Sequence, residues 1–291
     1  MTNGQEINED EIRIIGGGGK KKRSLRLWWL WLLLALAMVA VGVLVVVLQP
    51  KNQTEPLDET TATEQQTVDA EPAITWLDNV DNSQSAEIVV LDTVVDSIQL
   101  QVLTPINTTP ELYIGKLSDS DSDILLATMA ADIRRDNGKI VGAYVYVGEP
   151  LSWGLSKRGY CAIFDGRMTI GVADNSPLFE QATEQGGFFF RQYAAVDNGV
   201  AVENNPENAA PRRALCVMDG RYCIVACADR VMMNDFSKAL AKLGVEEALY
   251  LVGGSAHGWW RNGEGRVNHF IEGNDRPYNK KYMNYIVFRA N

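Results

Sequence analysis

The sequence predicts an α+β domain, built of mixed or antiparallel β-sheets with hairpins and a few helices, preceded by one transmembrane helix. Two Asp-Gly pairs, at 165–166 and 219–220, each separate runs rich in Val, Ile, Ala and Cys, which is typical of β-hairpins. One segment, 234–243, has the apolar spacing of an amphipathic helix. A long uncharged apolar run near the N-terminus predicts the transmembrane helix.

The run 27–48 contains no charged residue and is long enough to cross a bilayer, which takes about 20 apolar residues. Basic residues at 20–23 and 26 precede it, whereas Lys51 alone follows closely. The positive-inside rule therefore predicts a cytoplasmic tail (1–26), an uncleaved anchor (27–48) and an extracytoplasmic remainder, periplasmic in a Gram-negative cell. A cleaved signal peptide is the alternative, but the run is longer than its usual apolar region and no small-residue cleavage site follows.

Residues 49–72 are rich in Gln, Thr, Glu, Asp and Pro, so they predict a flexible acidic stalk. We expect the globular domain to span 73–291. The chain has a net charge of −10, which would repel the nucleic-acid backbone, so we predict that it has no nucleic-acid partner.

The strands follow in chain order. The runs 89–91, 97–103, 140–147 and 247–252 are strand-like, and the run 124–131 is ambiguous between strand and helix. The hairpins pair 159–164 with 168–172 and 214–218 with 222–226, and 282–288 forms the last strand. For the helix, Asn234 or Asp235 is a candidate N-cap and Gly244 a stop signal.

The four cysteines form no CxxC pair, and the chain has two histidines, so the sequence predicts no metal site and no cofactor. Cys216 and Cys223 face each other across the second hairpin. A disulfide there is one reading; the favoured one is that they are small buried apolar residues.

Three stretches are richer in Gly, Arg, His and aromatic residues than a plain core requires: 184–193, 211–216 and 251–258. Over 211–258 the order of features resembles the phosphodiester glycosidase family: an Arg entering a strand, a DG hairpin, a helix reading DFSKALAKLG, then ALYLVGGS. The resemblance extends less strongly over about 124–288 and implies a hydrolase of sugar-1-phosphodiesters.

The resemblance implies roles for four residues. Arg213 matches the family's strand-entrance Arg and would bind phosphate. Gly253, Gly254 and Ser255 match the end of the family's LDGGGS turn, whose glycines let backbone N–H groups approach an anion. Val252 stands where that motif has Asp, and the family's NGGFF element is not reproduced.

Proton transfer is assigned to His257 and Glu184, and substrate binding also to Arg191. Alternatives remain open: Arg213 as a surface charge at a strand end, and His257 as an ordinary surface or packed histidine. Glu184 and Arg191 could form a structural ion pair, and Gly253–Gly254 could be a plain tight turn. Trp259 and Trp260 should point to opposite faces of a strand.

Two functions follow. One is a membrane-anchored extracytoplasmic hydrolase of a sugar-1-phosphodiester, acting on a glycan or sugar-phosphate substrate. The other, favoured by Val252, is a non-catalytic glycan or cell-envelope binding module with the same fold. The sequence does not set the oligomeric state.

Overall fold

Antiparallel strand pairing builds three sheets. The computed structural model describes residues 73–75, 83, 85–254, 256–271 and 283–290. Within them the first sheet has six strands, which in spatial order are β1 (Ala73–Thr75), β9 (Arg167–Val172), β8 (Gly159–Phe164), β10 (Phe188–Gln192), β6 (Tyr144–Tyr146) and β7 (Glu149–Ser152).

The second sheet is the largest and carries two long hairpins. Its seven described strands are, in spatial order, β12 (Val200–Ala201), β11 (Ala194–Asp197), β15 (Glu247–Leu251), β13 (Ala210–Met218), β14 (Arg221–Val231), β3 (Ile98–Ile106) and β2 (Glu87–Val95). The chain passes directly from β10 into β11 with one residue between them, so one nearly continuous segment joins the first and second sheets.

The third sheet contains the last strand of the chain. Its five described strands are β17 (Val267–His269), β16 (Gly258–Arg261), β5 (Ile124–Met129), β18 (Asn284–Ala290) and β4 (Thr108–Ile114). Two helices accompany the sheets, α1 (Leu178–Glu184) on the first sheet and α2 (Met233–Leu243) on the second.

The main core lies where the three sheets meet. Leu126 and Phe288 from the third sheet, Leu215 from the second and Phe190 from the first are all fully buried in it. A second apolar cluster fills the space between the other face of the second sheet and α2, where Phe236 is fully buried. Burying a side chain of this size contributes about 1.5–3 kcal/mol, so the cores hold the sheets together.

The predicted hairpins are confirmed. Asp165 and Asp219 take positive φ values of 50° and 51°, and the following glycines 65° and 66°, as a two-residue hairpin turn requires. Cys216 pairs directly with Cys223, as expected, and both are buried free thiols.

The helix prediction is confirmed, but its N-cap was wrong. The N-cap of α2 is Met232, which is in extended conformation and makes no side-chain capping bond. The side-chain oxygen of Asn234 instead accepts a hydrogen bond from the backbone N–H of Asn204, 2.8 Å away. Gly244 ends the helix with a left-handed φ of 97°, as predicted.

The ambiguous run 124–131 is a strand, β5. The run 140–147 contains a shorter strand than predicted, β6, because residues 140–143 form a bend with one bridge from Ile133 to Ile140. Trp259 and Trp260 belong to different apolar clusters, as strand alternation predicts.

The predicted tail, anchor and stalk (1–26, 27–48 and 49–72) lie outside the described residues. Among those that the structure describes, no helix is both long and apolar enough to cross a membrane.

Candidate functional site

The Gly253–Gly254 turn follows β15 and is held against the start of β13. The Gly254 N–H donates a 2.9 Å hydrogen bond to the carbonyl of Pro211, and Gly254 has a φ of +63°. A Cβ on Gly253 would lie 2.5 Å from the same carbonyl oxygen. The turn therefore requires glycine, but the Gly254 N–H is already bonded within the protein. Ser255 lies outside the described residues.

Arg213 is a buried cation on the face of the second sheet that meets the third. Its guanidinium donates to the Thr128 hydroxyl at 2.9 Å and to the Ala256 carbonyl at 2.7 Å, and it lies 4.7 Å from the centre of the Phe270 ring. Burial lowers the pKa of Arg213 to about 10, so it stays charged at neutral pH.

His257 follows Ala256 and is also buried. Its ring centre lies 6.0 Å from that of Tyr285 and 6.3 Å from that of His269. The structure thus brings His257, Arg213 and the Gly253–Gly254 turn together at the end of β15.

Arg212 points to the opposite face of β13. It is buried, and it donates to the carbonyls of Val231, at 3.0 Å, and Asn208. Its guanidinium lies 5.6 Å from the centre of the Tyr250 ring. Burial raises the pKa of Tyr250 to about 12, so this phenol keeps its proton at neutral pH.

Lys157 is the third buried cation of the region. Its ammonium donates to the carboxylate of Asp132 and the side-chain oxygen of Gln192, and it lies 4.6 Å from the centre of the Tyr193 ring. Burial lowers the pKa of Lys157, while Asp132 acts in the opposite sense. The backbone connects Lys157 to the Arg212 side of the site, because the carbonyl of Tyr193 accepts a 2.8 Å hydrogen bond from the Tyr250 N–H.

We call Asp132, Lys157, Gln192, Arg212 and Tyr250 the polar junction, because the three sheets supply its residues. Asp132 follows β5, Lys157 precedes β8 and Gln192 is the last residue of β10, while Arg212 and Tyr250 lie on β13 and β15. A glycine permits this close approach: a Cβ on Gly159 would lie 2.6 Å from the Leu249 side chain and 2.7 Å from the Gln192 carbonyl.

The charges of this region do not balance. Two cations are buried at the polar junction itself, Lys157 and Arg212, while Arg191 lies behind Lys157 and Arg213 lies on the opposite face of β13. Within the described part of the chain, Asp132 is the one carboxylate in hydrogen-bond contact with any of them. Buried charges are costly unless paired, so the region is suited to hold an anion.

The described residues contain no cluster of three or more His, Cys, Asp or Glu side chains that could hold a metal ion. The side chains that meet at the junction are two cations, one carboxylate, an amide and a protonated phenol.

The family model of phosphodiester glycosidases matches residues 127–289, more than half of the 291 residues. The chain belongs to the phosphodiester glycosidase family. The match begins within β5 and ends within β18, so it includes every residue of the polar junction. The comparison with curated proteins finds no match.

Two solved structures share the fold. The catalytic domain of zebrafish N-acetylglucosamine-1-phosphodiester alpha-N-acetylglucosaminidase, auto-inhibited by its pro-peptide, matches with a TM-score of 0.52 and 12% identity, over 73% of this chain and 86% of that one. A hypothetical protein from Synechocystis matches with a TM-score of 0.52 and 15% identity, over 70% of this chain and 62% of that one. At these identities the likeness concerns the fold.

Two predicted site residues lie elsewhere in this phosphodiester glycosidase-family chain. Glu184 is exposed at the end of α1. Arg191 is buried and donates to the carbonyls of Lys157, Ala173 and Asp174 at 2.8–3.2 Å. Arg191 thus supports the backbone behind Lys157, and the described structure contains no ion pair between Glu184 and Arg191.

Sequence reasoning missed most of the polar junction. Arg212 lies within the stretch 211–216, but its neighbour Arg213 is the residue that matches the family's strand-entrance Arg. Lys157 and Gln192 are separated by 35 residues, and no local motif marks them. Strand periodicity would have given one clue, since the two arginines must face opposite sides of β13.

Proposed function

We propose that the chain hydrolyses a sugar-1-phosphodiester at the polar junction, outside the membrane to which residues 27–48 anchor it. Family membership supports the reaction class. The observation that carries the proposal is the excess of buried cations over carboxylates in a chain of net charge −10. A phosphodiester anion would offset the cost of burying those charges.

Arg212 and Lys157 are the cations that would hold the phosphate. Arg212 lies against the ring of Tyr250, whose protonated hydroxyl can donate to a phosphate oxygen. Lys157 lies against the ring of Tyr193, whose carbonyl accepts the Tyr250 N–H. Gln192 and Asp132 orient the Lys157 ammonium through hydrogen bonds. The cations would stabilise the negative charge that gathers on the phosphate as the sugar–oxygen bond breaks.

Asp132 would accept the proton of the attacking water. Its side chain is 44% exposed, so water can reach it, whereas Lys157 is 4% exposed. Glycosidases usually employ two carboxylates, one of them as an acid for the departing oxygen. A phosphate leaves as a stable anion whose second pKa is about 6, so one carboxylate acting as base is sufficient here.

The test is hydrolysis of a sugar-1-phosphodiester by the full chain, followed by NMR detection of the released sugar. We expect turnover by the wild type and a loss of at least about 100-fold for Asp132→Asn, because general-base catalysis contributes roughly 10²–10⁴-fold. Asp165→Asn is the matched control, since Asp165 occupies an exposed hairpin turn where asparagine accepts the positive φ. Absence of turnover by the wild type, or equal rates for all three proteins, refutes the proposal.

A non-catalytic glycan-binding module is the second candidate, and Val252 is the observation that favours it. Val252 packs against an apolar cluster and donates its N–H to the Met129 carbonyl at 3.2 Å. If the wild type binds phosphosugars without turnover and Val252→Asp hydrolyses them, the chain is a binding module derived from an enzyme. Unchanged inactivity in Val252→Asp would leave binding as its function.

A further inference from the structure

A cleft of about 440 Å³ lies on the face of the second sheet that carries Arg213, opposite the polar junction. Its floor includes one row of cross-strand neighbours. Register pairs Arg213 with Ala226, Ala226 with Gln101 and Gln101 with Asp92, and directly paired residues share a face. Pro211, Ala228 and the paired residues Gln99 and Val94 also line the cleft, beside the point where the register of β13 and β14 shifts.

Two alanines account for the depth of the cleft. Ala226 and Ala228 occupy the middle of the floor, where longer side chains would fill the space. Phe270, just after β17, closes one end. A volume of this size falls within the range of small-molecule sites, roughly 300–1,000 Å³.

The polar groups of the cleft favour an uncharged ligand. Asp92 and Asp229 are exposed carboxylates, and Gln101 donates a 3.0 Å hydrogen bond to Asp92. The one cation among the lining residues, Arg213, is buried against Thr128 and Ala256. Two exposed carboxylates give the opening a negative potential, which repels phosphate and other anions.

Carboxylates and amides offer paired acceptors and donors that match neighbouring hydroxyl groups, and an aromatic ring offers an apolar surface for C–H groups. Gln99, Gln101, Asp92, Asp229 and Phe270 supply these groups around the alanine floor. We propose that the cleft binds a neutral oligosaccharide, at a site distinct from the polar junction. Because Arg212 and Arg213 face opposite sides of β13, the two sites lie on different faces of the second sheet. This binding does not require hydrolysis.

The test is titration calorimetry of the full chain with a panel of neutral trisaccharides built from common hexoses and N-acetylhexosamines. Ala228→Trp fills the floor from an exposed position, so we expect folding to persist and binding to weaken by at least about tenfold. Leu91→Trp is the matched control: Leu91 is 59% exposed and precedes Asp92, so it points to the other face of β2.

Binding of at least one trisaccharide, lost in Ala228→Trp and retained in Leu91→Trp, supports the proposal. No binding by any member of the panel overturns it, as does equal binding by Ala228→Trp. Competition between the trisaccharide and inorganic phosphate also overturns it, since the cleft would then be an anion site. Hydrolytic activity is measured separately, so failure of this proposal and failure of the proposed function are distinguishable.

Discussion

Removing either member of the Asp132–Lys157 pair should destabilise the protein by different amounts. Asp132→Asn leaves a lysine that is 4% exposed without its counter-ion, whereas Lys157→Met leaves a carboxylate that is 44% exposed and can be hydrated. An unpaired charge costs most where water cannot reach it. Both substitutions delete the same ion pair, so the difference between their losses of stability reflects how deeply the remaining charged side chain is buried.

The size of the effect has an upper limit. In Asp132→Asn the folded protein can release the Lys157 proton, and for a lysine with an ordinary pKa of 10.5 this costs about 5 kcal/mol at pH 7. With Gln192 still accepting a hydrogen bond, we expect a loss of about 3 kcal/mol for Asp132→Asn. For Lys157→Met we expect about 1 kcal/mol, as for other partly exposed ion pairs.

The effect should depend on pH. Asp132 acts to raise the pKa of Lys157, so its removal lowers that pKa further below the unfolded value. Between the folded and unfolded pKa values the unfolded chain binds more protons, and stability therefore rises with pH in that window. The deficit of Asp132→Asn should shrink toward alkaline pH, by up to about 1.4 kcal/mol per unit.

Urea unfolding of the wild type, both single variants and the double variant, at about pH 7 and about pH 9.5, measures these free energies. The double variant should resemble Lys157→Met, because it contains no buried unpaired charge. Equal losses in the two single variants would refute the reasoning. So would a deficit of Asp132→Asn that is the same at both pH values.

Two further predictions concern the core and the turn. Burial raises the pKa of Tyr222 from 10.0 to about 12, so between these pH values the wild type should lose up to about 2.7 kcal/mol more than Tyr222→Phe, which retains the other buried tyrosines. Urea unfolding of both proteins from pH 8 upward measures this difference, and parallel profiles of stability against pH would contradict it. At lower pH the Tyr222 hydroxyl contributes little to stability, because its hydrogen bond to the Thr108 carbonyl is long, at 3.5 Å. Gly253→Ala places a Cβ 2.5 Å from the Pro211 oxygen and should lower the free energy of unfolding by about 2 kcal/mol, as measured by thermal unfolding. Gly263 has open space around it, so the control Gly263→Ala should change that free energy by less than about 0.5 kcal/mol. Equal melting temperatures for the two glycine variants would contradict the steric argument.

Local signals in the sequence predicted the hairpins and α2 correctly. An Asp-Gly pair specifies its own turn through positive φ values, and Gly244 ends the helix for the same reason. The capping residue of α2 could not be predicted, because Asn234 is used by the distant loop residue Asn204. A short polar side chain can bond locally or at long range, and only the packed chain decides between them.

The candidate site was predicted only in part. Arg213, His257 and the Gly253–Gly254 turn do come together, as the motif order suggested. Glu184 and Arg191 do not join them, since α1 and the end of β10 lie on the first sheet. The sequence offered Glu184 because it stands beside an unusual run of residues, and nearness in sequence says little about position across sheets.

By itself the sequence determined the two Asp-Gly hairpins, the helix α2, the α+β class of the domain and the family resemblance, since these depend on residues close together in the chain. The tertiary structure alone decided which charges meet. Lys157 reaches Asp132 and Gln192 across 25 and 35 residues, and it does so only because three sheets converge at glycines. It also decided that Arg212 joins the polar junction while Arg213 faces the cleft. Strand alternation requires the two to diverge, but the packing of the other sheets determines what each face holds.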